Sequence, residues 1–397
     1  MPHKGPAITS TGPFHVFRHL FAETSEKQGN FARGTRADAG LSPHYFANLP
    51  KATSHRQLHP EDIQYQRIRK RLKLNAYFML DHCVAATGNV SPIIVSGFWR
   101  SGTTWLQQLV ADAMDAKPIF EPLDPSTNPA TVLGQGEDCR ADIPFSPAEL
   151  SSQDWHVLDL AFQGISPNRS GFNYLCRRNY TEALRRQVVV KFVRSQMIFD
   201  ALQDRYQPIA AIHLSRHPMA VIKSMEKTDW SWSFDDIDPA DRYGHTPPLA
   251  KPVADDIAAL KRDGHSEIYQ KVAALWAITE KAMQAVPNVT SCKYEALVLD
   301  PETEFPALMR RAGLRIKKTA DFATNSPVTI SGRKNISTRD RLYSWRAHFS
   351  DAQQLEIATI LRAFWPEVDD HWDLGAVSAT TAFAQAAETH ARKRETN

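Results

Sequence analysis

The stretch Ile93-Ile94-Val95-Ser96-Gly97-Phe98-Trp99-Arg100-Ser101-Gly102-Thr103-Thr104-Trp105-Leu106 constrains this chain more than any other. Apolar, β-branched residues run into a glycine-punctuated turn, and a helical pattern starts directly after it, so the unit reads as strand, loop and helix. Glycines let the backbone turn tightly and aim successive N–H groups inward, while the helix N-terminus adds the positive end of its dipole. A loop of this kind binds phosphate. It is also the first half of a βαβ unit.

The same alternation continues to about Gly375. Short apolar runs predict strands at Pro92–Gly97, Lys117–Phe120, Val188–Val193, Pro208–Ser215 and Asn288–Tyr294. Helical patterns lie between them at Thr103–Ala113, Met197–Asp204, Pro218–Met225, Ser266–Val286 and Thr303–Ala312, the last closed by Gly313. The expected fold class is therefore α/β, with a P-loop-like, mainly parallel sheet flanked by helices. Residues 1–60 are rich in Gly, Pro, Ser, Thr and His and read as an irregular arm. From Pro60 an amphipathic helix is expected, with Ile63, Ile68, Leu72, Ala76, Met79 and Leu80 facing inward and Arg67, Arg69, Lys70, Arg71 and Lys73 on a solvated face. These readings divide the chain into an N-terminal arm and helix at 1–90, one α/β domain at 91–375, and a flexible tail at 376–397.

The chain has 397 residues and a formal charge of only +3, so no nucleic acid or anionic membrane is demanded as partner and any anion site must be local. Cys83, Cys139, Cys176 and Cys292 stand far apart and form no Cys/His cluster. That pattern implies neither a metal site nor a disulfide framework, and a reducing compartment fits it. No run approaches the roughly 18 apolar residues of a membrane span, and the first residues lack a signal-peptide core. A soluble, cytoplasmic protein is expected, with homodimerisation left open.

Gly97-x-x-x-x-Gly102 has the spacing of a nucleotide-triphosphate loop, but Thr103 stands where that motif places its lysine. The basic group lies inside the loop instead, at Arg100. With Trp105 following in the helix, the segment resembles the 5′-phosphosulfate loop of sulfotransferases that use 3′-phosphoadenosine-5′-phosphosulfate (PAPS). The resemblance implies that Arg100, Ser101, Gly102, Thr103 and Thr104 hold the 5′-phosphate and bridging oxygen, and that Trp105 stacks on adenine.

Further segments carry the same resemblance. Arg216 after the strand at 208–215, with Ser224 eight residues on, resembles the family's 3′-phosphate pair Arg-Asp-Pro-Arg-x-x-x-x-Ser, although His217 and Met219 replace the Asp and the second basic residue. Val188-Val189-Val190-Lys191-Phe192-Val193-Arg194 resembles a strand of carbohydrate sulfotransferases, and Lys191 and Arg194 at the sheet's carboxyl edge could either neutralise a bound anion or reach out to solvent. Tyr294-Glu295-Ala296-Leu297 resembles the Tyr-Glu-Asp-Leu segment whose tyrosine lies against the nucleotide. Arg333 and Lys334, in competition with Arg339 and Arg341, resemble a basic loop that covers the cofactor, and Ser344–Ser350 resembles the family's Trp-(Lys/Arg)-x-His-Phe ending.

Sulfuryl transfer to a hydroxyl needs an in-line arrangement, a group that takes the hydroxyl proton, and positive charge on the leaving oxygen. The strand Lys117–Phe120, returning parallel beside the first strand, would bring Glu121 into the cleft next to Arg100. Phe120-Glu121-Pro122-Leu123 resembles the Tyr/Phe-Glu-Pro segment of carbohydrate and tyrosylprotein sulfotransferases, which implies Glu121 as base and a carbohydrate or glycosylated acceptor. Asp124 is the nearest rival, and His156, His213, His217 and His348 lack the context of the cytosolic enzymes' histidine. Aromatics at Trp155, Trp230, Trp232 and Phe234 offer either a stacking face for sugar rings or loop packing. A small-molecule acceptor (natural product, lipid or phenol), a P-loop kinase and a nucleotide-binding module without catalysis are the competing readings.

Overall fold

In the computed structural model of the protein, residues 72, 75–88, 90–124, 150–166, 180–226, 268–322 and 342–374 are described. Contacts divide the chain into Met1–Leu49, outside the described residues, and Pro50–Asn397, to which all that follows belongs. The centre is a five-stranded parallel sheet in the order β2-β3-β1-β4-β5, formed by β1 (Ser91–Ser96), β2 (Lys117–Phe120), β3 (Gln187–Phe192), β4 (Ala210–Ser215) and β5 (Thr290–Lys293). All five predicted strands are present within about two residues of the expected ends, the usual margin for such boundaries.

Helices α1 (Thr103–Met114), α2 (Ser152–Phe162), α3 (Phe199–Tyr206), α4 (Pro218–Glu226), α5 (Ile268–Ala285), α6 (Tyr294–Leu299), α7 (Pro301–Arg311), α8 (Asp351–Phe364) and α9 (Val368–His371) surround it. On one face α1 and α7 bury Leu106, Val110, Phe305 and Leu308 against Ile93, Val95, Ile212 and Leu214. On the other, Leu158, Phe162, Phe199 and Leu202 of α2 and α3 cover Ile94, Val190 and Phe192. Coverage on both faces is what the near-continuous apolar strands require. A further cluster joins α4, α5 and α8 through Met219, Ile222, Trp276 and Ile360 and reaches Phe98 and Trp99 of the β1 loop. α7 ends as expected, with Gly313 N–H donating to Arg310 O at 3.0 Å and Leu314 N–H to Met309 O at 2.8 Å.

Two expectations are corrected. β2 does not return beside β1: β3 lies between them. The order follows from composition, because β3 is apolar on both faces and takes a central place, whereas Pro118 lacks an N–H and suits the edge strand β2. The N-terminal helix, observed over 75–85, is rotated from its expected face, with Leu72 and Met79 exposed (64% and 38%) while Tyr77, Asp81 and Val84 are buried. The cause is a buried charge. Lys117 Nζ pairs with Asp81 Oδ1 at 3.3 Å, both side chains fully enclosed, and Asp81 Oδ2 also accepts the Ser166 N–H. A lysine in the interior needs its counter-ion, and that need overrides the preference of Leu72 and Met79 for burial. The basic residues of 67–73, the aromatics Trp230, Trp232 and Phe234, and the tail after 374 lie outside the described residues.

Candidate active site

Open parallel sheets place their ligands at the carboxyl ends of the strands. Here β1 leaves its carboxyl end through Gly97, where a Cβ would lie 2.4 Å from the Leu214 carbonyl oxygen, so only glycine passes beside β4. Arg100 adopts a left-handed φ of 62°, and Gly102, at 94°, caps α1 with its Cα turned to the Tyr294 ring, which a Cβ would approach to 2.6 Å. Left-handed backbone at a residue with a side chain is strained. Glu121, at 33°, is a second such residue, so both residues expected to do chemistry sit on strained backbone.

The loop gathers the groups expected of it. Ser101, Thr103 and Thr104 are buried, and the Ser101 hydroxyl has no hydrogen-bond partner among the described residues. An enclosed hydroxyl left unsatisfied at a helix N-terminus suits an incoming anion. Arg100 Nε donates to Ser224 Oγ at 3.1 Å, and Arg216 Nη1 donates to the Arg100 carbonyl at 2.7 Å. The two predicted anion sites are therefore one continuous surface. Tyr294 backs it, with the Arg216 guanidinium 4.7 Å from its ring centroid and Trp105 edge-on at 5.9 Å.

Glu121 reaches this surface through an intermediary. Lys191, at the end of β3 and almost fully buried, forms an ion pair with Glu121, donates to Thr104 Oγ1 at 3.0 Å and lies 3.7 Å from the Phe120 ring centroid. Glu121 N–H in turn donates to the Lys191 carbonyl at 3.0 Å. Burial raises the Glu121 carboxyl above its ordinary value, while the Lys191 charge opposes part of that rise. Arg194 pairs with Asp124 at 3.5 Å, and the Asp124 N–H closes the turn onto the Glu121 carbonyl. The lysine's bridging role was legible only in part: a lysine within Val188–Val193 had to find partners, but not which ones.

The histidines take other roles. His213 is enclosed and bonds Glu280 Oε2 at 3.1 Å, an acceptor it shares with the Ser215 hydroxyl, and sequence reasoning missed this buried cluster. His156 and His348 are exposed. His217 stacks on Trp345 at 4.3 Å with its Nε2 2.9 Å from the Asp373 carbonyl oxygen, and burial lowers it to about 4. Unfolded histidine takes its proton near 6.5 and the folded residue only near 4, so protons favour the unfolded chain within that window. Stability is expected to fall between those pH values by about 3 kcal/mol more in the wild type than in His217→Gln. Urea unfolding at stepped pH checks this, and parallel curves for the two proteins would refute it.

Trp155 packs against the α2–α3 side of the core with Arg205 over its ring at 5.2 Å. Arg333, Lys334, Arg339, Arg341, Trp230, Trp232 and Phe234 lie outside the described residues. Among the described residues no helix is long and apolar enough to cross a membrane, and no group of His, Cys, Asp and Glu could hold a metal ion.

No curated protein matches the chain in sequence. Among solved structures, the sulfotransferase domain of the olefin synthase of Synechococcus PCC 7002 is similar at 14% identity over 70% of this chain and 95% of that one, with a TM-score of 0.35. The sulfotransferase domain from the curacin biosynthetic pathway is similar at 15% identity over 68% and 96%, with a TM-score of 0.36. A mouse sulfotransferase complexed with PAP is similar at 12% over 76% and 89%, with a TM-score of 0.31. Residues 92–318, more than half of the sequence and all five strands but the first residue of β1, match the model of the sulfotransferase family, and the chain belongs to that family.

Proposed function

We propose that the protein moves a sulfuryl group from PAPS to a hydroxyl of a carbohydrate or glycosylated acceptor, with Glu121 as general base. The Lys191 bridge carries this reading, because one buried ammonium joins the proposed base to Thr104 of the anion loop. The loop amides, the unsatisfied Ser101 hydroxyl and Arg100 fit the 5′-phosphosulfate end; Arg216 and Ser224 fit the 3′-phosphate; Trp105 and Tyr294 offer an aromatic wall for adenine. Covering the nucleotide is given to the basic segment that holds Arg333 and Lys334, with Arg339 and Arg341 as the competing residues.

When bound, PAPS supplies a sulfuryl group whose bond to the phosphate oxygen breaks as the acceptor oxygen bonds to sulfur. Glu121 takes the hydroxyl proton, and Arg100 with Lys191 supplies positive charge where the leaving oxygen becomes negative. The saccharide acceptor follows the Glu-Pro segment at 121–122 and the strand at 188–194.

Titration with 3′-phosphoadenosine-5′-phosphate (PAP), beside ADP and ATP, tests the donor, since a ligand of the native state raises its apparent stability. Preference for PAP that is lost in Arg216→Ala is expected. Preference for ATP would return the chain to the kinase reading. Sulfate transfer from labelled PAPS to a panel of saccharides, phenols and lipids then tests the acceptor, and labelling of phenols or lipids alone would replace the saccharide.

A further inference from the structure

β4 and β5 end side by side, and each is followed at once by a residue of the nucleotide surface: Arg216 after β4, Tyr294 at the start of α6 after β5. Parallel strands fix the spacing of their ends but not the directions in which the emerging chains leave. Between these two ends stands one side-chain bond. Glu295 Oε1 accepts the backbone N–H of His217 at 3.1 Å, the residue after Arg216, at the entrance to α4. The neighbour on each side of this bond points to the same place, since the Arg216 guanidinium lies 4.7 Å from the Tyr294 ring centroid while its Nη1 holds the Arg100 carbonyl.

We propose that Glu295 is a positioning residue for the 3′-phosphate: by holding the His217 N–H it fixes where β4 ends, and so aims Arg216 across Tyr294 at the phosphate. This rests on the PAPS reading above. The bond has three properties suited to the role. It joins residues 78 positions apart, so it records the relative placement of two strands rather than a local turn. It satisfies an N–H at the start of α4, one of the donors a helix leaves without an internal partner. And the acceptor is a carboxylate, the stronger partner for such a donor. Burial raises the Glu295 carboxyl above its ordinary value, and the His217 N–H, the Glu295 backbone N–H and the Arg216 charge oppose part of that rise.

The test compares PAP with ADP, two nucleotides that differ at the 3′-phosphate, by calorimetric titration of the full chain. In Glu295→Ala the dissociation constant for PAP is expected to rise about tenfold while that for ADP changes less than about twofold, the size of losing one hydrogen bond to a charged group. Glu295→Gln, which keeps a carbonyl oxygen at Oε1, should restore PAP affinity to within about twofold. Glu295→Asp retains the charge but is one methylene too short to reach, and it should behave as Ala does; it also keeps the question answerable if Glu295→Ala fails to fold. Equal weakening of both nucleotides, or no weakening, in Ala and Asp would overturn the proposal and leave Glu295 a helix cap only. A wild type that does not prefer PAP over ADP is a different failure, because it removes the donor assignment on which the proposal stands.

Discussion

Glu121→Gln is expected to lower kcat by about a hundredfold to ten-thousandfold while leaving the dissociation constant for PAP nearly unchanged, the range over which a positioned base contributes. The separation arises from geometry. Glu121 pairs with Lys191, and glutamine retains an oxygen that can accept from the lysine, so the Thr104 end of the bridge survives. What disappears is the capacity to take a proton. The same arrangement sets the pH dependence. A base must be unprotonated to act, and burial lifts the Glu121 carboxyl above 4.5, so the acidic limb of kcat/KM should lie above that pH. In Lys191→Met the charge that opposes the rise is gone, and the limb should move to still higher pH. Arg100→Ala, by contrast, should weaken both binding and turnover. Normal turnover in Glu121→Gln would remove the base assignment.

The second large effect lies at the edge of the sheet, remote from the chemistry. Asp81→Ala removes the carboxylate that pairs with the enclosed Lys117 ammonium, and breaking a buried pair on one side costs about 3–5 kcal/mol. Lys117 also donates to the Ala183 carbonyl, a neutral acceptor. Replacing both partners, as Asp81→Leu with Lys117→Met, should recover most of the loss, because apolar residues of similar volume need no counter-ion. Urea midpoints for the single and double variants measure it. A single variant within about 1 kcal/mol of wild type would show that water reaches the pair.

The contrast between these two places shows what the sequence disclosed. Strands such as Val188–Val193 and the turn at Gly97–Gly102 announce themselves because β-branched runs and glycines act locally. Arg216, Ser224 and Arg100 were singled out by resemblance to short motifs, and the structure brings the three together. Strand order was not legible in that way. Nothing near Lys117–Phe120 says that β3 will intervene, although Pro118 hints at an edge, and the ion pair of Glu121 with Lys191 follows from that order. The inward face of the 75–85 helix likewise carries Asp81, whose partner Lys117 stands 36 positions away in sequence, where no periodicity within the helix could register it. The roles of Glu295 and Glu280 depend on what β4 places opposite them.

The contacts that make the site have one further property. Arg100 to Ser224 spans 124 positions, Arg216 to Arg100 116, and Lys191 to Thr104 87. Each is a long loop closure, whose entropy must be met before the contact returns anything. Local turns and helices can form early, but the Lys191–Thr104 pair needs β1 docked with β3, and both arginine contacts need β1 docked with β4. An intermediate in which β4 has not docked beside β1 would keep the loop and the α1 N-terminus but lack the Arg216 and Ser224 contacts, so on the proposed assignment it would hold one half of the anion surface without the other.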